Sequence, residues 1–258
     1  MLKELATRLK QGYRTLSFPK GNPPPLPDRF RGLPQIDWTR CGSTCSACAA
    51  ACPVSAINPE KHTIDLGACL FCTDCVHSCP AGAISFTRDY RLAVRSRDAL
   101  VMDDKQKELE LAEVLDKKMK KLFGRSLKLR QVSAGGCNAC EADVNVLTTI
   151  GWDMGRFSIN YVASPRHADG IIVTGPVSKN MELALKKTYD AVPSPKIVIA
   201  VGSCAIAGGP YRDHEEVVGG LDRIVPVDLY IPGCPPHPLT ILDGLLRLLG
   251  RIETEKRL

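Results

Sequence analysis

Long apolar runs are missing from this chain. No stretch approaches the roughly 18 apolar residues of a membrane-crossing helix, and the run "IVIAVGSCAIAGGPY" is interrupted by small and polar residues. Aromatic residues are scarce, at 5%. Neither aromatic interleaving nor a groove-reading motif is present, which excludes nucleic acid as a partner. No G-x-G-x-x-G loop follows the first strand-like run of the C-terminal half, which argues against a nucleotide-binding enzyme. The opening "MLKELATRLKQGYRTL" is charged from Lys3 onward and has no apolar leader core, so a reducing compartment is expected.

Cysteine, by contrast, is abundant: 12 among 258 residues. In a reducing compartment so many thiols are expected to be ligands rather than disulfides. The formal charge of +6 fits solvated basic faces, and equally an attraction for an acidic electron-carrier protein or an anionic lipid surface.

The length accommodates two domains, and the chain divides into four zones. Residues 1–36 combine an amphipathic helix, with Leu2, Leu5 and Leu9 at helical spacing among Lys3, Arg8 and Lys10, and a proline-rich extended arm, "FPKGNPPPLPDRFRGLP". Two placements are open to the helix: against a lipid interface or membrane-embedded partner, or docked on its own domain. The arm is expected to wrap a neighbour. Residues 37–92 hold eight cysteines. Residues 93–126 read as a charged helical linker with Leu109, Ala112, Leu115, Met119 and Leu122 on one face, ending near Gly124. Across 127–258, β-like runs alternate with helical stretches, predicting a parallel sheet with helices on both faces.

The eight-cysteine zone is an internal repeat. Cys45, Cys48 and Cys52 recur at Cys72, Cys75 and Cys79, and each copy ends in Cys-Pro. A C-x2-C-x2-C-x3-C-P run is a 4Fe-4S ligand set whose fourth cysteine serves the sister cluster. One cluster is therefore assigned to Cys69, Cys72, Cys75 and Cys52, the other to Cys41, Cys45, Cys48 and Cys79. Three residues separate Cys41 from Cys45 where the pattern has two, so an altered loop is expected there, with Cys41 still a ligand. Zinc knuckles are the other reading of C-x2-C pairs, but zinc has no need of a doubled run ending in Cys-Pro.

Four cysteines remain. In an open α/β sheet, ligands bind at the carboxyl ends of strands. Cys137 and Cys140 follow the first strand-like run, Cys204 the fourth and Cys234 the fifth, so all four are expected to converge on a third cluster. Gly135, Gly136, Gly202 and Gly233 stand beside them, allowing backbone to approach a bulky inorganic cube.

"FRG" followed by the two-cluster run resembles the ferredoxin-like subunit of formate hydrogenlyase and its counterpart in respiratory complex I. "GGCNACE", "VASPRHADGIIVTGPV", "GSCAIAGG" and "VPVDLYIPGCPPHP" resemble the small subunit of membrane-bound group 4 nickel-iron hydrogenases, related to the complex I 20 kDa subunit. The chain looks like a fusion of the two. The resemblance implies a flavodoxin-like α/β C-terminal domain preceded by an α+β ferredoxin-like domain. Complex I subunits of this family carry adjacent cysteines at the first position; here Asn138 and Ala139 intervene, as in the hydrogenase branch.

What the resemblance implies is an electron wire of three 4Fe-4S clusters feeding a nickel-iron centre in a separate large subunit, because the large-subunit signature of two C-x2-C pairs is absent here. It further implies membrane-arm partners, a ferredoxin or a formate dehydrogenase-type electron donor, and a peripheral place on the cytoplasmic face of the cell membrane. Glu141 is a candidate for the proton route, or else favours the first turn of a helix through the dipole. Arg166 and His167 match the family and are expected to contact the large subunit. The alternatives are a nickel-free, sulfur- or quinone-reducing relative and a free multi-cluster electron carrier.

Overall fold

The computed structural model describes residues 2–42, 45–104, 109, 111–112, 114–115 and 117–252. Helix α1, Leu2–Gln11, buries none of its residues and is ended by Gly12, whose φ of +62° suits a helix terminus. The arm that follows wraps its own chain. The Leu16 amide donates to the Gly151 carbonyl at 2.8 Å, and the Arg156 guanidinium holds the Leu16 and Phe18 carbonyls at 2.5 and 2.7 Å. Phe18 is buried edge-on against Tyr90. Further along, the Gly32 amide bonds Thr87 and leads the chain into its first strand.

The cysteine-rich unit contains β1 (Pro34–Ile36), α2 (Ala47–Ala51), β2 (Ile57–Asn58), β3 (Thr63–Asp65), α3 (Asp74–Ser78) and β4 (Ile84–Phe86), and β5 (Val101–Met102) adds to it from beyond. β1 pairs antiparallel with β4, and β2-β3-β5 form a second small sheet. The two copies of the repeat exchange strands in the same way: Ile36 faces Ile84, and Ile64 faces Ile57. The register also locates the irregularity in the first copy. Ile64 and Cys69 lie 28 residues after Ile36 and Cys41, whereas Cys72, Cys75, Cys79 and Ile84 lie 27 after Cys45, Cys48, Cys52 and Ile57. One extra residue between Cys41 and Cys45 accounts for the whole difference.

The linker departs from expectation. Leu109, Ala112 and Leu115 are buried but not helical. Instead the Ala112 amide donates to Ala93 at 2.7 Å and the Leu115 amide to Leu248 at 3.1 Å. Among the described residues of the linker, α-helix is found at α4, Lys117–Phe123, where Leu122 is half exposed and Gly124 closes the last turn onto Lys120. Tertiary partners for these amides outcompete local helix formation, and apolar residues at helical spacing were also apolar residues along an extended path. Residues 105–108, 110, 113 and 116 of the expected helix lie outside the described residues.

The remainder follows the predicted alternation: β6 (Leu127–Ser133), α5 (Ala139–Val146), β7 (Ile159–Tyr161), β8 (Gly170–Thr174), α6 (Lys179–Ala191), β9 (Ile197–Val201), α7 (Ser203–Ala207), β10 (Leu229–Ile231) and α8 (Pro238–Leu248). All pairings are parallel, in the order β7-β6-β8-β9-β10. Counting from β6 this is 2-1-3-4-5, the flavodoxin-like order, with its switch point between β6 and β8. Both faces are covered, so β8 and β9 are buried at every position. Leu127, Leu129, Ile172, Ile197 and Ile199 pack with α8 on one face. Val132, Ile171, Val173 and Val198 pack on the other with Leu185 of α6, Ala205 and Ile206 of α7, and Leu66, Phe71 and Leu100 of the cysteine-rich region. The two halves therefore share one core. They also share backbone: Val94 and Tyr230 exchange amide bonds at 3.0 and 2.8 Å.

Candidate functional site

All twelve cysteines are free thiols, eight in the repeat and four on the loops that follow β6, β9 and β10. Each copy of the repeat carries one cysteine in a short helix, Cys48 in α2 or Cys75 in α3, with Cys52 and Cys79 at the exits. There the two copies repeat one bond: the Ala56 amide donates to Cys52 Sγ at 3.2 Å and the Ala83 amide to Cys79 Sγ at 3.3 Å.

Neighbouring thiols raise one another largely along the lines of the expected sets. Burial pushes the Cys69 thiol up to about 12; the Phe71 amide, 3.3 Å from its sulfur, opposes this, while Cys52, Cys75 and Cys72 add to it. Cys75 is pushed up to about 11, by burial and then by Cys72, Cys52 and, more weakly, Cys48. Cys41 is raised by burial, then by Cys79 and Cys45, and Cys48 by burial with Cys41 and Cys45 contributing. Cys140 is raised by burial, then by Cys204, Cys234 and Cys137; Cys204 reaches about 11 by burial, then by Cys234 and Cys137. Cys234 is raised by burial, then Cys137, then Cys72 of the neighbouring set. Buried thiols in mutual repulsion favour the neutral form, and a cationic core is what would draw them into a common thiolate site.

At the third set the loops after β6, β9 and β10 meet. Gly202, with φ +89°, has no room for a side chain, since a Cβ would stand 2.5 Å from Cys140 Sγ. One on Gly209 would stand 2.6 Å from Cys204 Sγ. These cradles and the all-thiolate donor sets fit an iron-sulfur cube. Among the described residues no three His, Cys, Asp or Glu side chains stand at the spacing of a single ion.

Ser203 joins the second set to the third. Its buried hydroxyl lies 2.6 Å from the Cys69 carbonyl and 3.1 Å from that of Gly233, and donates to them. Nothing in the sequence marked this residue beyond its place in "GSC". His237 was likewise unassigned. It caps α8 by accepting from the Leu239 amide at 3.2 Å, and its ring sits edge-on between Phe30 and Trp152, 5.5 and 5.9 Å away. Burial holds its pKa below the usual value. With Arg29, Arg31, Asp143 and Cys234 it lines a cavity of 270 Å³. A larger cavity of 600 Å³, lined by Trp38, His62 and Met102, touches no cysteine and carries no argument about the sets.

Glu141 lies in the first turn of α5, as the dipole favours, but its hydrogen bonds are not helix caps. Its carboxylate accepts from the hydroxyls of Ser133 and, at 3.3 Å, Thr174, spanning the switch point between β6 and β8. Arg166 and His167 are exposed in a short turn just before β8, at the amino end of the sheet, opposite the third set. Cys137 and Cys234 are exposed as residues, although the Cys234 thiol is itself partly sheltered, whereas Cys48, Cys69 and Cys75 are buried.

A family model described as NADH ubiquinone oxidoreductase, 20 Kd subunit, matches residues 137–248. The chain is 41% identical over 132 residues to a probable membrane-bound hydrogenase subunit mbhJ of Pyrococcus furiosus, covering 51% of this chain and 79% of that one. It is 42% identical over 136 residues to an NADH-quinone oxidoreductase subunit of Bacteroides thetaiotaomicron, covering 52% and 68%. Against formate hydrogenlyase subunit 7 of Escherichia coli the identity is 43% over 133 residues, 52% of each chain.

Proposed function

Taking as premise that the chain belongs to the 20 kDa-subunit family of NADH ubiquinone oxidoreductase, we propose that it is the electron-relaying subunit of a membrane-associated, hydrogenase-type oxidoreductase. Three 4Fe-4S clusters would be held by Cys41, Cys45, Cys48 and Cys79; by Cys52, Cys69, Cys72 and Cys75; and by Cys137, Cys140, Cys204 and Cys234. Bound there, they supply one-electron storage and transfer. The observation that carries the reading is the joint at the third set: a Cβ on Gly202 would stand 2.5 Å from Cys140 Sγ, and the Ser203 hydroxyl beside Cys204 reaches the carbonyls of Cys69 and Gly233 at 2.6 and 3.1 Å, tying the second group of cysteines to the third.

The protein's part is to hold and tune. Amides of Ala56, Phe71 and Ala83 donate to ligand sulfurs, which stabilises added negative charge and raises a potential. Ser203 fixes the second loop against the third. The arm lays Phe30 edge-on to His237 and so packs against the helix cap that follows the Cys234 loop. The exposed Cys137 and Cys234 suit a surface covered by a large catalytic subunit, and disfavour a free carrier. Asn138 and Ala139 favour a nickel-iron partner, whereas the likeness to a quinone oxidoreductase subunit supports the nickel-free reading as the second choice. Membrane-arm partners, a ferredoxin or formate dehydrogenase-type donor and a cytoplasmic-face location belong to the same proposal.

The test is anaerobic purification of the tagged complex from gently solubilised membranes with metal quantitation. About one nickel and about twelve or more irons per chain support it. Iron at that level without nickel removes the hydrogenase assignment, and fewer than about eight irons refutes the three-cluster relay.

A further inference from the structure

We infer that α1 is an interfacial helix that lies on an anionic lipid surface. This deepens the membrane association proposed above but rests on different residues. At about 100° per residue, Leu2, Leu5 and Leu9 fall within an arc of about 60°. All three are uncovered, at 85, 59 and 84% exposure. Docking of the helix on its own domain would bury this face, yet no residue of α1 is buried.

Charge identifies the occupant. At the same pitch Arg8 and Lys10 stand about 60° and 80° beyond the two edges of the leucine arc, and Glu4 and Lys3 about 100° beyond them, so three basic residues flank the face against one acidic residue. Long basic side chains bordering an apolar stripe can bury their stems and reach anionic headgroups. Tyr13, 90% exposed beneath the Arg8 guanidinium, adds an amphipathic ring of the kind that suits a headgroup layer. Among the described residues no helix is long and apolar enough to cross a membrane, so attachment of this kind is superficial.

The root of the helix gives the attachment a direction. Leu16 is bonded to Gly151, next to the 75%-exposed Ile150 and to Trp152, whose ring meets His237 three residues beyond Cys234. The chain leaving α1 is thus tied to the segment that carries Trp152, on the side of the Cys234 loop.

The test is flotation of the full-length, anaerobically cluster-loaded chain with vesicles of phosphatidylcholine alone or mixed with about one-third phosphatidylglycerol. The wild type is expected to float with the anionic vesicles only, and to be released by salt. L5Q/L9Q should lose about tenfold or more of the binding, and K3Q/K10Q about fivefold per lysine with most of the salt dependence. No flotation, equal flotation on neutral vesicles, or wild-type binding by L5Q/L9Q would each overturn the inference. Iron content and the paramagnetic spectra of the reduced variants report on the relay separately, since none of these residues is near a cysteine.

Discussion

Replacing Gly202 by alanine tests the third set with the smallest available change. The backbone there has φ +89° and ψ 157°, a region that is essentially glycine-only and costs about 1–3 kcal/mol for other residues. The new methyl would also stand 2.5 Å from Cys140 Sγ, against a resting separation of about 3.5–4.0 Å. Sulfur or backbone must then retreat by about 1 Å, and Cys140 cannot keep its place among Cys137, Cys204 and Cys234. The fold itself survives a loss of this size, because β9 and its neighbours are buried on both faces. The expected result is loss of about four of about twelve irons, with one paramagnetic signal missing on reduction and the other two unchanged. Gly151→Ala is the control: a Cβ there meets nothing within 4 Å, so full iron is expected. A Gly202→Ala protein with full iron and an unaltered spectrum would refute the assignment of Cys140 to a cluster at the β9 loop.

Cys41→Ala should remove the first cluster alone, seen as about four irons lost; full iron would place Cys41 outside the set. The Asp243–Arg247 pair, 2.7 Å apart with side chains 1% and 5% exposed, makes Asp243→Asn costly, about 3–5 kcal/mol, because the guanidinium is left buried and unpaired. Differential scanning fluorimetry should show a Tm lower by roughly 10 °C, with much of it recovered in the double variant D243L/R247M. His237 predicts a pH effect. Its folded-state pKa is depressed below the usual 6.5, so its contribution is complete above 6.5 and drains away as pH falls toward the folded value. Protonation also removes the acceptor that caps α8. Tm should decline below pH 6.5 in the wild type and decline less in His237→Asn, which retains a capping side chain.

The sheet was legible because five short apolar runs, each ending in glycine or a small polar residue, have one reading in an alternating chain. Cys137, Cys204 and Cys234 could be placed at strand ends for the same reason. The linker was not legible. Leu109, Ala112 and Leu115 satisfy a helical period, but what they pack on, Ala93 and Leu248 among them, lies far off in sequence, and periodicity carries no knowledge of distant partners. Glu141 shows the same limit at the level of one side chain. Its place in the first turn of a helix was readable, while the hydroxyls of Ser133 and Thr174 that engage it were fixed only once β6 and β8 became neighbours. Ser203 and His237 act through a carbonyl and a pair of rings, contacts that no spacing rule encodes.

The unequal repeat has a structural cause of the same kind. The second copy is clamped between the halves: Gly67 has Ile206 Cγ2 and the Arg97 guanidinium 2.8 Å from where a Cβ would be, and Ser203 grips the Cys69 carbonyl. Arg97 is in turn held by both oxygens of Asp65 at 2.8 and 2.6 Å. A loop held from both sides has no space for an added residue, and a shift in it would move Cys72 relative to Cys234. Gly42 in the first copy meets nothing within 4 Å. The extra residue lies between Cys41 and Cys45, away from the joint that Gly67 and Ser203 make between the two halves. The one-residue difference between the copies thus falls away from the joint between the two halves, a joint that sequence alone left unspecified and that Ser203, Gly67 and Arg97 hold from both sides.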